Sequence, residues 1–235
     1  MQQPDPALTR LVDRVLEARN RGAPLEIRGG GTKAFYGGVP RGEPFEVAAL
    51  CGISAYEPTE LVVTARAGTR LADLEAVLAQ SGQCLPFEPP RFSPGGTVGG
   101  MVAAGLSGPS RAAYGCVRDH VLGVTLLSGR GEVLTFGGQV AKNVAGYDVS
   151  RLMAGSCGIL GVLCDVSLKV LPIPRATATL RFDHDETRAL EQLGRWSSQP
   201  LPINASAWHD GRLHVRLAGA AAAVDAARVK LNGAE

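Results

Sequence analysis

The spacing of apolar residues predicts a chain of mixed helices and strands. Near the N-terminus, Leu8, Leu11, Val12, Val15 and Leu16 recur at helical spacing with charged residues between them, which predicts an amphipathic helix over 6–21. Further helices are predicted over 71–79, 147–154 and 186–196, with a helix of small residues over 97–105 and an Ala-rich helix over 220–231. Apolar runs predict strands over 24–28, 45–50, 61–67, 120–128, 132–136 and 159–171, and we expect 45–50 to pair with 61–67.

A domain boundary is predicted at the segment LPIPR, which contains Pro172 and Pro174. Beyond it the chain changes to an alternating strand, a helix, two strands and an Ala-rich helix. Asp210-Gly211 lies between the last two strands, as in a two-residue hairpin turn. The sequence therefore predicts the α+β class, with one domain over 1–173 and a short β-α-β-β-α unit over 174–235.

Glycine is the feature of the composition that changes this picture. The chain has 30 glycines in 235 residues, well above the average of about 7%. Sixteen of them lie between Gly95 and Gly161. Because glycine weakens helices and strands, this density indicates backbone that turns tightly or approaches a ligand closely. The 45% hydrophobic content and the net charge of +2 exclude a disordered chain and give no electrostatic footprint for nucleic acid.

The compartment is inferred from features that the sequence lacks. The N-terminal residues show no basic region followed by an apolar one, so no signal peptide is expected. The longest apolar run, CGILGVLCDVSL, is short and contains Asp165, so no membrane span is expected. The five cysteines have no CxxC spacing and are interpreted as reduced, mostly buried thiols of a cytoplasmic protein, with one reactive thiol as the alternative. They are Cys51, Cys84, Cys116, Cys157 and Cys164.

Three glycine-containing segments are candidates for ligand binding. In RGGGTK (28–33), successive main-chain N–H groups could bind an anion, with an ordinary surface turn as the alternative. In PGGTVGG (94–100), a loop enters a helix of small residues, whose free N–H groups could bind phosphate, with a tight structural turn as the alternative. This spacing is not GxGxxG, which disfavours a Rossmann fold. In KNVAGYD (142–148) and GSCGILG (155–161), main-chain groups could contact a planar base, or could form a helix end followed by a strand. Together the segments fit a dinucleotide whose diphosphate is held between two lobes.

The order of these motifs resembles the FAD-binding domain of the vanillyl-alcohol oxidase type, the PCMH fold. The resemblance runs from about Leu25 to Pro174 and rests on RGGGTK, PGGTVGGMVAAGLSGPSRAAYGCVRDHVLGVTLLSGRGEVL, KNVAGYD and GSCGILGVL. More narrowly, IRGGGTKAFYGG, LPFEPP, SGPSRAAYGCVRDHVLG and AKNVAGYDVSRLMAGSCGILG resemble the FAD-binding E subunits of glycolate oxidases. This implies two α+β lobes, at about 1–90 and 91–173, followed by a partial cap, and it implies FAD as the cofactor.

The resemblance also implies a set of cofactor contacts. The diphosphate is expected between a first turn of Gly29, Gly30, Gly31, Thr32 and Lys33 and a second turn of Pro94, Gly95, Gly96, Thr97, Gly99 and Gly100. The flavin side is expected at, or supported by, Gly105, Gly108, Tyr114, Gly115 and Asp119. The ribityl and adenine end is expected at Gly146, Gly158, Ile159, Gly161 and Val162. Relatives that link FAD covalently often carry histidine in the first turn. Here Thr32 takes that place, so a dissociable, non-covalent FAD is expected.

Catalytic residues are not assigned by the sequence. Oxidation of a 2-hydroxy acid needs a base for the hydroxyl proton and a cation for the carboxylate. The chain has only His120, His184, His209 and His214. His209 and His214 lie on either side of the predicted hairpin, but no third ligand has suitable spacing, so no metal site is expected. About sixty residues follow Pro174, which is short for the cap of this family. A compact variant and a truncated chain are the two alternatives.

The leading expectation is an FAD-binding subunit of a complex that oxidises glycolate to glyoxylate. By resemblance, a second flavin subunit carries out the oxidation and an iron–sulfur subunit passes electrons to a membrane quinone. This chain has no cysteine set for a cluster, so the iron–sulfur part is expected to be another protein. By resemblance, contact with the membrane is expected only through such partners. The alternatives are a self-sufficient FAD-dependent 2-hydroxyacid dehydrogenase and a structural assembly subunit with an empty flavin site.

Overall fold

The computed structural model describes residues 5–138 and 147–234. The helices are α1 (Pro6–Arg21), α2 (Leu71–Gln80), α3 (Val98–Ala104), α4 (Arg111–Tyr114), α5 (Val117–His120), α6 (Val149–Leu152), α7 (Glu186–Ser197) and α8 (Ala221–Leu231). The strands are β1 (Leu25–Arg28), β2 (Glu43–Glu46), β3 (Ile53–Glu57), β4 (Val62–Arg66), β5 (Gln83–Cys84), β6 (Val121–Leu127), β7 (Val133–Gly137), β8 (Val162–Lys169), β9 (Leu171–Pro172), β10 (Ala176–Asp183), β11 (Ile203–His209) and β12 (Arg212–Gly219).

The chain folds into two compact units. The first unit lies within Met1–Leu85, Pro89–Leu106 and Cys116–Leu171. The second unit contains Pro172–Glu235, which begins two residues before the expected boundary. It also contains the short segments Pro86–Glu88 and Ser107–Gly115, which the sequence had placed inside a continuous domain over 1–173.

The first unit is built on a five-stranded antiparallel sheet of order β3-β4-β8-β6-β7. At its centre, Val63 of β4 lies opposite Leu168 of β8. β3 and β4, which precede residue 90, therefore belong to the same sheet as β6, β7 and β8, which follow it. The expected boundary between two lobes at 90/91 does not divide the structure into two separate sheets. β2 pairs in parallel with β1, with Ile27 opposite Phe45. The expected pairing of 45–50 with 61–67 is therefore wrong, because β4 has β3 and β8 as its neighbours.

Helix α1 packs over one end of this unit. The carboxylate of Asp5 caps it by accepting a hydrogen bond from the N–H of Ala7 at 2.9 Å. Leu11 and Val15 are buried in one core cluster with Phe45 and Val162. Burying each such side chain stabilises the fold by about 1.5–3 kcal/mol. This packing fixes the β1–β2 pair and so places the glycine turn that follows β1.

The second unit has a three-stranded antiparallel sheet of order β10-β12-β11 with helices α7 and α8. This is the predicted β-α-β-β-α sequence of elements. The turn between β11 and β12 has positive φ at both Asp210 (47°) and Gly211 (72°), as the Asp-Gly pair predicts. The core lies between the sheet and the helices and includes Leu180, Trp196 and Leu213.

Some local expectations need correction. The helix predicted over 147–154 spans only Val149–Leu152, and β3 was not predicted. The cysteines are not mostly buried: Cys164 is buried, whereas Cys51 and Cys157 are exposed, and none of the five is in a disulfide. Within the two described ranges, no helix combines the length and hydropathy that a membrane span requires.

Candidate cofactor site

The first glycine turn, Gly29–Lys33, comes directly after β1. Within the described residues, the main-chain N–H groups of Gly30, Gly31, Thr32 and Lys33 donate no hydrogen bond to a protein acceptor. Successive N–H groups that are free in this way can bind an anion. The turn therefore has the donors that a phosphate needs.

The structure brings the first turn into main-chain contact with the second. A Cβ atom added to Gly30 would lie 1.5 Å from the carbonyl oxygen of Gly95, and one added to Gly29 would lie 2.4 Å from Oγ1 of Thr97. No side chain fits between the two turns, so this approach requires glycine. The two turns thus form one wall, because Gly30 and Gly95 meet although they are far apart in the chain.

The first three residues of helix α3 do not offer the free N–H donors that the sequence predicts. The N–H of Val98 donates to the carbonyl of Thr69 at 2.9 Å, and that of Gly99 donates to the carbonyl of Ala67 at 2.7 Å. The N–H of Gly100 donates to the Thr97 side chain at 3.2 Å. The expectation of free N–H groups is therefore wrong for the first three residues of the helix, because α3 packs tightly on the chain that follows β4. Free donors are found in the first turn and, within the described residues, also at Gly95, Gly96 and Thr97, whose N–H groups donate to no protein acceptor.

A cavity of about 800 Å³ lies within the first unit and has both turns in its wall. This volume is in the range of small-molecule and cofactor sites, about 300–1,000 Å³. The predicted site residues that line it are Gly29, Gly30, Gly31, Thr32, Lys33, Thr97, Gly99, Gly100, Gly158, Ile159 and Gly161. The structure therefore brings together the first turn, the start of α3 and the segment before β8.

Other lining residues were not among the predicted contacts. They include Ala67, Ala103, Ala104, Ser156 and Cys157. The run of small residues in α3 is the sequence pattern that could have identified Ala103 and Ala104 as lining residues. The GSCG motif could have identified Ser156 and Cys157 in the same way. No sequence pattern indicated Ala67, because its position in the cavity wall depends on how the chain after β4 packs against α3.

Several predicted contacts of the first unit do not line the cavity. Val162 is 5% exposed, and its side chain packs in the core with Leu11 instead of facing the cavity. The Asp119 carboxylate accepts a hydrogen bond from the N–H of Cys116 at 2.8 Å, and this bond holds its pKa below the usual value. Asp119 therefore supports the start of α5. Pro94, Gly95, Gly96 and Gly105 also lie outside the lining.

The remaining predicted contacts lie elsewhere. Gly108, Tyr114 and Gly115 belong to the second unit. Gly146 lies outside the described residues. The roles of these four residues stay predictions.

The charge in the cavity wall comes from a small number of side chains. Arg28 is neutralised by Glu26, which accepts hydrogen bonds at 2.6 and 2.8 Å. Lys33 is half-buried and makes no ion pair or side-chain hydrogen bond within the described residues, and burial lowers the pKa of its ammonium group. An anion bound at the first turn would give this ammonium group a counter-charge.

A second polar group in the wall also lacks a partner. The hydroxyl oxygen of Ser156 is buried and has no hydrogen-bond partner within residues 5–138 and 147–234. Buried polar atoms are normally hydrogen-bonded, so this hydroxyl fits a site that a polar ligand completes. The free N–H groups, Lys33, Ser156 and the glycine-lined wall together suit a dinucleotide with a diphosphate.

The comparisons with known proteins agree with this site. The FAD binding domain family matches residues 9–151. The chain belongs to this family, and FAD is its cofactor, so the expected PCMH-type fold is confirmed.

Two proteins of similar sequence and one solved structure show what the chain resembles within and beyond this family. The chain is 48% identical over 225 residues to the glycolate oxidase subunit GlcE of Escherichia coli (strain K12), across 96% of this chain and 64% of that protein. It is 34% identical over 157 residues to a D-lactate dehydrogenase of Anaerostipes hadrus, across 66% of this chain and 32% of that protein. The chain thus spans less than two thirds of the length of these relatives. Among solved structures, an alkyldihydroxyacetonephosphate synthase superposes with a TM-score of 0.74 at 18% identity over 95% of this chain and 48% of that one, which shows the shared fold.

Proposed function

We propose that the chain is the FAD-carrying subunit of a complex that oxidises glycolate to glyoxylate. The observation that carries the proposal is the 48% identity to GlcE over 96% of the chain, together with the cavity that suits a dinucleotide. Bound FAD would supply the redox chemistry. The residues of this chain would hold it: the N–H groups of Gly30–Lys33 would bind the diphosphate and the Lys33 ammonium would neutralise it.

The division of labour between subunits is supported by what lines the cavity. Glu26 is the one carboxylate among the lining residues that the structure describes, and it is ion-paired with Arg28. No histidine is among those lining residues. His209 lies opposite Arg212 across the hairpin, and His214 lies opposite Ala207, so these two histidines are not cross-strand partners. A base for the hydroxyl of a 2-hydroxy acid is thus better sought in a second flavin subunit.

The electrons from glycolate need an acceptor within the proposed complex. We infer that an iron–sulfur subunit accepts electrons, and that this chain remains cytoplasmic and meets the membrane only through such partners. Binding of FAD is proposed to be non-covalent, because Thr32 stands where covalently flavinylated relatives often carry histidine. A bound, dissociable FAD distinguishes this proposal from an assembly subunit with an empty site.

Glycolate oxidation by the isolated chain tests the division of labour. With FAD bound, the chain alone is expected to reduce an artificial electron acceptor with glycolate no faster than free FAD does. Activity is expected to appear when the partner flavin subunit is added. The measurement is acceptor reduction with and without the partner. Rapid turnover by the chain alone would instead support the self-sufficient 2-hydroxyacid dehydrogenase.

Cys157 provides a footprint of the cofactor in the cavity. Its side chain is exposed and lines the cavity, so saturating FAD is expected to slow its alkylation by about tenfold. Cys51 is exposed outside the cavity and serves as the control, with no change expected. Burial raises the pKa of the Cys164 thiol to about 12, so this residue should react only after unfolding. The rates are measured by mass spectrometry of labelled peptides, and equal rates for Cys157 with and without FAD would contradict the site.

A further inference from the structure

The two glycine turns of the first unit are joined at a second place by an aromatic contact. The first contact is the close approach of Gly30 to the carbonyl oxygen of Gly95. The second is between the rings of Phe35 and Phe92, whose centroids lie 4.9 Å apart. Moving forward from Gly30 to Phe35 corresponds to moving back from Gly95 to Phe92, so the two segments run antiparallel between these contacts.

The free N–H groups of the site lie on these two antiparallel segments. Those of Gly30–Lys33 on one segment and of Gly95–Thr97 on the other donate to no protein acceptor within the described residues. Antiparallel segments are usually joined by main-chain hydrogen bonds, but none joins 29–35 to 92–97 in the part of the chain that the structure describes. The alignment of the two sets of donors therefore depends on the close packing at one end and the aromatic contact at the other.

The aromatic contact has the geometry of a specific pair. The two ring planes meet at 77°, an edge-to-face arrangement that contributes about 0.5–1.5 kcal/mol beyond the area it buries. Phe35 is 65% exposed and Phe92 is 50% exposed, so neither ring belongs to the buried core. Both rings lie in the first unit, and neither lines the cavity. The pair thus links two surface segments, and the core does not depend on it.

The chain on either side of Phe35 lines the cavity. Lys33, Ala34 and Tyr36 are lining residues, and the loop that follows contributes Gly37 and Gly38 to the wall. A Cβ atom added to either of these two glycines would meet nothing within 4 Å, so no other part of the molecule packs against the loop at that point. The aromatic contact is therefore the place where this wall is attached to the segment before the second turn.

We propose that Phe35 and Phe92 are positioning residues whose ring contact holds the two segments together, so that N–H groups of both can donate to one diphosphate. This deepens the proposed function and rests on it, because the diphosphate of FAD is assigned there to the first turn. The second turn then adds donors to the site through Gly95–Thr97. The two rings act through these N–H groups without contacting FAD.

A double-mutant cycle in the full chain tests the proposal. Phe35→Ala and Phe92→Ala are each expected to raise the Kd for FAD by about 2- to 10-fold, the loss of one edge-to-face contact. The double variant should bind FAD no more weakly than either single variant, because each single change already removes the whole contact. Val39→Ala is the matched control, since Val39 lies on the same loop, is 88% exposed and does not line the cavity. Its Kd should equal that of the wild type.

Phe92→Tyr separates positioning from a merely structural role. It keeps the ring and should bind FAD with the wild-type Kd. The melting temperature of each flavin-free variant, followed by circular dichroism, should match that of Val39→Ala, because the core does not depend on the pair. An unchanged Kd in the alanine variants, additive losses in the double variant, or equal losses in Phe92→Tyr and Phe92→Ala would overturn the positioning role and leave the proposed function standing. A wild-type chain that takes up no FAD overturns the proposed function itself.

Discussion

Gly30→Ala is expected to reduce the FAD retained by the purified chain from about one equivalent to below about one tenth. The added Cβ would lie 1.5 Å from the carbonyl oxygen of Gly95. Because interiors are close-packed, the two turns must move apart to relieve this overlap. Separation would misplace the N–H donors of the first turn. Flavin absorbance per chain measures the loss.

Gly96→Ala is the matched control for this substitution. A Cβ atom at Gly96 would have its nearest neighbours at 3.7 Å (Thr32 Oγ1) and 3.9 Å (Ser93 carbonyl oxygen), which are ordinary contacts. This variant should retain FAD like the wild type. Circular dichroism of both variants separates loss of the site from loss of the fold. Full FAD retention by folded Gly30→Ala would show that the two turns do not form the cofactor wall.

Lys33→Met is expected to raise the Kd for FAD by about 10- to 100-fold. Methionine keeps most of the apolar stem but removes the charge. Hydrogen bonds to charged groups contribute about 1.5–3 kcal/mol, and each 1.4 kcal/mol corresponds to about tenfold in Kd. Lys33 has no competing carboxylate partner within the described residues, so its charge is available to the diphosphate. Fluorescence titration with FAD measures the change.

Arg41→Met is the matched control for the Lys33 substitution. Arg41 also lines the cavity, but it is exposed, so solvent screens its charge. Its replacement should change the Kd by less than about fivefold. Raising the salt concentration should weaken FAD binding more in the wild type than in Lys33→Met. An unchanged Kd in Lys33→Met would remove Lys33 from the diphosphate site.

The sequence was most informative where local chemistry decides the structure. Helix α1 follows from its apolar spacing, with Asp5 as its cap, and the β11–β12 turn follows from Asp210-Gly211. The two glycine turns could be identified from the sequence as places where main chain approaches another group closely, because only glycine leaves that space free of a side chain. The partner of each turn became clear only when the structure placed Gly30 against Gly95.

The sequence was least informative where distant residues decide the outcome. The N–H groups of α3 are occupied by carbonyls of Ala67 and Thr69, which no pattern around α3 reveals. The parallel partner of β2 was missed because the apolar pattern of a strand indicates its buried face but not its neighbour. The attachment of Glu88 to the second unit depends on Arg216, which is 128 residues away in the chain.

Titration of the flavin-free chain with FAD and with FMN tests most directly whether this chain holds FAD non-covalently by its diphosphate, between the two glycine turns. FMN has no diphosphate, so it should bind at least about 100-fold more weakly than FAD, since it loses several charged hydrogen bonds. We expect saturable, reversible binding of one FAD per chain. No saturable FAD binding, or equal affinity for FMN, would contradict this interpretation of the site.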